Sequence, residues 1–97
     1  MHVAALRVEL HLRSVHSLKE KRAVIRPILE GCRHRFSVAA AEVGHQDRWQ
    51  DAALGVSVVS GSAAHAAEVL DGVERFIWSF PEVEVSSCGR QWLEDDE

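Results

Sequence analysis

The segment VAALRVELHL, Val3 to Leu12, alternates without a break: Ala4, Leu6, Val8, Leu10 and Leu12 on one side, Val3, Ala5, Arg7, Glu9 and His11 on the other. Period two over ten residues is the geometry of a strand that buries one face and leaves the other open. A different signal follows at once. Ser17-Leu18-Lys19-Glu20 has the form of a capping box, in which the Ser17 hydroxyl accepts from the Glu20 amide and the Glu20 side chain reaches back. The helix it opens carries Leu18, Val24, Ile25, Ile28, Leu29 and Cys32 on one stripe, with Pro27 and Gly31 in its interior predicting a bend.

The two-residue period returns in FSVAAAEV, Phe36 to Val43, with Phe36, Val38 and Ala40 expected inward. A connection from Gly44 leads to a third strand, ALGVSVVS, with Leu54, Val56 and Val58 inward. Ser60 or Ser62 caps a second helix, whose apolar positions Ala66, Val69, Leu70, Val73, Phe76 and Ile77 recur at helical spacing before Pro81 stops it. VEVSSCGRQW alternates weakly and reads as a fourth, edge-like strand. The order β-α-β-β-α-β predicts an α+β, ferredoxin-like sandwich. Its four-stranded antiparallel sheet has order 4-1-3-2, with both helices on one face.

Ninety-seven residues make one domain, 1–97, large enough for one modest core without a metal or disulfide staple. The two cysteines, Cys32 and Cys88, are far apart and in no ligand spacing, which predicts neither a metal nor a disulfide and suits a reduced, cytoplasmic protein. No apolar run is long enough for a membrane span. Arg makes up nine of the eleven basic residues and Asn, Thr and Tyr are absent, a coding bias that strips the Arg preference of functional weight. The charge distribution says more than the net of −4: residues 13–35 carry +5 and residues 66–97 carry −7. The net charge argues against a general nucleic-acid binder, while the local basic patch allows a targeted one.

Three features are able to carry function. On the first helix Lys19, Arg22, Arg26 and Arg33 recur at intervals of three, four and seven, with Lys21, Arg35 and the preceding Arg13 beside them. A stripe of this kind can follow a phosphate backbone, and the competing reading is a solvated face answering an acidic second helix. The second feature is AEVGHQDRWQ, Ala41 to Gln50, next to the loop that holds Arg13 and His16. His16 or His45 would serve as base with Glu42 or Asp47 as orienter, or the end would hold an anion. The plainer reading is a loop in which Glu42 and Asp47 cap amides, Gly44 supplies a positive φ and Trp49 anchors the chain. A metal is not expected, because His45, Asp47 and Glu42 do not have ligand spacing. The third feature is the open sheet face, with Val3, Ala5, Arg7, Glu9, Ser37, Ala39, Ala41, Gly55, Ser57 and Val59. It lacks the aromatics on which RNA-recognition sheets stack bases, and its small residues suit packing against another protein surface or a second copy.

SLKEKR at Ser17–Arg22 and RFSVAAAEVGHQDRWQDAALGVSVVS at Arg35–Ser60 resemble the YlxP-like family over essentially the whole chain. The resemblance implies a ferredoxin-like fold and a small cytoplasmic bacterial protein whose gene often stands among translation-initiation and ribosome-maturation factors. It implies no catalytic residues and no cofactor. Pro27 and Gly31 depart from the usual first helix. Acylphosphatases share the fold, but the RSVHS loop lacks their glycine-rich cradle and the chain has no asparagine. The expectation is therefore a non-enzymatic binding module that contacts ribosomal RNA or a ribosomal or translation factor through the basic helix. The alternative is a homodimer formed by the open sheet face, and the third reading a small enzyme or anion site at Arg13, His16, Glu42 and His45.

Overall fold

The computed structural model describes residues 1–95 and contains β1 (His2–Leu12), α1 (Leu18–Phe36), β2 (Ala39–Gly44), β3 (Asp51–Ser60), α2 (Ala63–Trp78) and β4 (Val83–Glu94). The strands form one antiparallel sheet in the order β2-β3-β1-β4, the arrangement expected from the element order, and both helices lie on one face of it. The even-numbered residues of β1, Ala4 through Leu12, are all buried, and Ala4, Leu6 and Val8 pair with Val58, Val56 and Leu54 of β3. Ile25, Ile28 and Cys32 of α1 and Ala66, Leu70, Val73 and Ile77 of α2 complete the core. Each side chain of this kind contributes about 1.5–3 kcal/mol when taken from water, so the alternation in β1 supplies the central layer.

Both helix starts are capped as their sequences imply. The Ser17 hydroxyl accepts from the Glu20 amide at 3.0 Å and Ser62 accepts from that of His65 at 3.2 Å. The first helix runs on through Pro27, which sits on its exposed side, and ends later than its sequence pattern implies. Phe36 closes α1 and does not open β2; Ser37 follows as a left-handed cap with φ 53°, its amide donating to the Arg33 carbonyl at 3.1 Å. Ser37 therefore lies outside the sheet.

Gly31 and Gly72 explain how the helices approach each other. A Cβ on Gly31 would collide with Cζ of Phe76, and a Cβ on Gly72 would stand 2.7 Å from Cε1 of Phe36. Each helix thus offers a glycine to the other's phenylalanine. The two rings lie 6.0 Å apart, Phe80 meets Phe76 edge-on at 5.1 Å, and the Arg35 guanidinium covers Phe76 at 4.9 Å. Gly31 is a packing residue, not a flaw in the helix.

Two bulges shape the sheet. One lies between Glu9 and Leu10 of β1 against β4, where the Ser86 hydroxyl donates to the Glu9 carbonyl at 3.1 Å. The other, between Glu42 and Gly44, inserts Val43, whose side chain would meet a Cβ on Gly55 at 2.9 Å. Val43 thereby joins the open face while Glu42, paired with buried Leu54, is turned beneath the helices.

Candidate functional site

Lys21 follows the core stripe Ile25-Ile28-Cys32 back by one more turn, and it is buried to 2% exposure. Its ammonium donates to the carbonyls of His45 at 2.7 Å and Arg48 at 2.8 Å, and it lies 2.7 Å from Glu42 Oε2. That last contact is too oblique for a hydrogen bond, so it acts as an ion pair with a buried oxygen that has no other partner among the described residues. Lys21 is consequently corrected from a nucleic-acid contact to a structural pin beneath the Gly44–Asp51 connection. The 4-3-4 spacing of 21, 25, 28 and 32 is the signal that places it inward.

The pinned connection takes its sharp turn at His45, with φ 59°, and not at Gly44, whose φ is negative. Histidine is among the side chains that tolerate this region. Gly44 is needed for space instead, since a Cβ there would come within 2.9 Å of the Arg7 guanidinium and 3.2 Å of Ala53. Trp49 stays half exposed and anchors nothing in the core. The His45 ring reaches outward to Glu9, Nε2 to Oε1 at 2.7 Å, and Arg7 Nε donates to the other Glu9 oxygen at 2.7 Å. These contacts, His45 first and Arg7 second, hold the Glu9 carboxyl below its ordinary value.

The Arg13–Ser17 loop, the Gly44–Asp51 connection and the turn at Pro81 share one end of the molecule. Leu12 donates its amide to the Gln50 carbonyl at 2.8 Å, and Leu12 pairs with Val83 just past the turn at Pro81. Their side chains nevertheless do not converge. Arg13 turns to Glu84 at 2.9 Å, Glu42 to Lys21 and His45 to Glu9, while His16 and Asp47 are exposed and enter no ion pair among the described residues. Glu9, which sequence reasoning left on a sheet face, is the partner that His45 finds. Among the described residues no group of three His, Cys, Asp or Glu side chains is placed to hold a metal, and no helix is long and apolar enough to cross a membrane.

The Lys and Arg side chains outside α2 sort into two classes. Arg7, Arg13, Arg48 and Arg90 are paired with acids, Arg33 donates to the Ala40 carbonyl, Arg35 covers Phe76 and Lys21 is buried. Lys19, Arg22 and Arg26 are exposed on α1 and make no salt bridge among the described residues. They border a shallow depression of about 480 Å³ with Ala23, Pro27 and Glu30, and Arg22 and Arg26 also border a neighbouring one that ends at Arg33 and Glu42. From Lys19 to Arg26 the helix rises about 10 Å at ~1.5 Å per residue.

A family model described as "Protein of unknown function (DUF503)" matches residues 3–90. The chain is 42% identical over 77 residues, 79% of its length and 84% of the relative's, to "Uncharacterized protein YlxP" of Bacillus subtilis (strain 168). Its fold is similar to that of SnoaB, a cofactor-independent oxygenase from Streptomyces nogalater, with a TM-score of 0.52 over 99% of this chain and 94% of that one. At 7% identity the likeness concerns the fold alone. The chain is a member of the DUF503 family of proteins of unknown function.

Proposed function

We propose that the chain is a non-enzymatic RNA-binding module that works in the cytoplasm alongside the translation apparatus and grips RNA backbone through the outer face of α1. The observation that carries this reading is the partition of the cations. Lys19, Arg22 and Arg26 stand together, exposed and without an acid partner among the described residues, while the other cations of β1, α1 and the loops are tied down within the chain. Arginine and lysine in such a row neutralise successive phosphates and release counterions, giving affinity without base readout. Arg33, bonded to a backbone carbonyl, borders the patch and is not its centre. The link to ribosomal RNA comes from the resemblance to the YlxP-like family.

Co-sedimentation with purified ribosomal subunits tests the reading. The protein pellets with a subunit at low salt, and the Arg22→Glu/Arg26→Glu variant, equally folded by circular dichroism, stays in the supernatant. Retention of the variant on the subunit contradicts the α1 assignment. Binding that survives nuclease digestion of the RNA assigns the face to a protein partner instead.

A further inference from the structure

We infer that the open face of the sheet is covered by a second copy of this chain. The helices occupy one face, and across the other runs a row of apolar side chains, Val59–Val3–Leu93, set side by side by the register Val3↔Val59 and Val3↔Leu93. Val59 and Leu93 are 65% and 66% exposed, and Val43, thrown onto the same face by the β2 bulge, is 46% exposed. Between these apolar ends lies a trough of about 710 Å³ floored by Ala5, Ala39, Ala41, Gly55 and Ser57. Small floors let two sheets approach closely, and a trough flanked by protruding Val and Leu side chains is a shape that can seat the same side chains from a like surface.

Charge selects a like surface over a charged partner. The ionic groups on and around this face already answer one another within the chain: Arg7 and His45 hold Glu9, Arg48 holds Asp51 and Arg13 holds Glu84. The chain is acidic overall, yet the two charged side chains that β1 sets on this face, Arg7 and Glu9, neutralise each other instead of repelling a twin. Its size also fits. Eleven residues of β1 at ~3.4 Å each and four strands about 4.8 Å apart outline a face on the order of 500–600 Å². Two such faces bury on the order of 1,000–1,200 Å², the lower bound for specific association, which makes the dimer reversible. The contact is isologous, with one patch serving both copies. It leaves α1 of each copy on the outside, so the dimer presents two basic faces at once.

Sedimentation equilibrium between about 1 and 500 μM, a range set by the strength expected of a minimal interface, is the test, with no RNA present so that it stands apart from the proposed RNA contact. The chain moves from monomer to dimer across this range. In an isotope-labelled sample the amide shifts that follow concentration belong to Val3, Ala5, Ser57, Val59 and Leu93 and not to α1. The Val59→Lys/Leu93→Lys variant, with an unchanged melting profile because both side chains are largely exposed, weakens association at least tenfold. A wild-type chain that stays monomeric to the top of the range overturns the inference. So does a dimer that the variant leaves intact or whose shifts map to the helices or to the free edge of β4.

Discussion

The ammonium of Lys21 and the carboxylate of Glu42 lie 2.7 Å apart beneath the β2–β3 connection, joining the first turn of α1 to the end of β2. Lys21 Nζ also bonds the carbonyls of His45 and Arg48, so one buried cation sets the path of the loop that aims His45 at Glu9. Lys21→Met removes the charge and keeps the stem, leaving Glu42 without its counter-charge and two carbonyls without their donor. Breaking a buried pair costs about 3–5 kcal/mol, and the partial exposure of Glu42 lowers the expected loss to about 2–4 kcal/mol. Urea unfolding measures it, and a double-mutant cycle with Glu42→Gln should return a coupling of at least about 1 kcal/mol.

Gly31→Ala would stabilise an isolated helix by about 1 kcal/mol. Here the added methyl meets Phe76, which is held by Phe36, Phe80 and Arg35 and has nowhere easy to go. The net effect expected is a destabilisation of about 1–3 kcal/mol. Pairing the change with Phe76→Leu should recover part of it, which thermal or urea unfolding of the three variants checks.

Much of the fold was legible because hydrophobic period is a local signal. The alternation of Val3–Leu12, the capping serines Ser17 and Ser62 and the stop at Pro81 each depend on neighbours in sequence, and each sits where its pattern implies. Phe36 is the exception, because a residue that packs inward from a helix end looks the same in sequence as one that opens a strand. The site was less legible because its partners are distant in the chain. Lys21 reads as one more surface lysine until β2 brings Glu42 beneath it, and Glu9 reads as a sheet-face acid until the loop delivers His45. Of the cations named from spacing, Lys19, Arg22 and Arg26 remain without an acid partner among the described residues. Only structure separates them from Arg13, Arg33 and Lys21, which have partners.

Glu9 gives the molecule an acid-sensitive contact. His45 first, and Arg7 second, depress its carboxyl below the ordinary 4.5. A carboxylate depressed by folding contributes stability that is present above the unfolded value and is lost as pH falls through the folded one. Wild type should therefore exceed Glu9→Gln in urea midpoint at pH 7, and the difference should shrink as the pH drops below 4.5. In His45→Ala the Glu9 titration, followed by carboxyl-carbon NMR, should move back up toward the ordinary value.

The two thiols should separate cleanly in reactivity. Cys32 is fully buried in the core, and burial pushes its thiol up to about 11. Cys88 is exposed on β4, with its thiol raised by partial burial first and by the Glu74 carboxylate second. A disulfide reagent at pH 8 should modify one thiol in the native protein, more slowly than a free thiol, and the second only on unfolding. Rapid modification of both in the native state contradicts the packing of α1 on the sheet.

The salt dependence of RNA affinity tests the central claim most directly. Each phosphate neutralised on a single strand contributes about −0.7 to the slope of log K against log salt, and about −0.9 on a duplex. With Lys19, Arg22 and Arg26 as the contact, fluorescence anisotropy on a labelled ribosomal RNA fragment should give a slope of about −2 to −3, and Arg22→Glu/Arg26→Glu should remove about two of those contacts. A slope near zero, or a variant whose slope matches wild type, would contradict the assignment of α1 as the RNA-binding face.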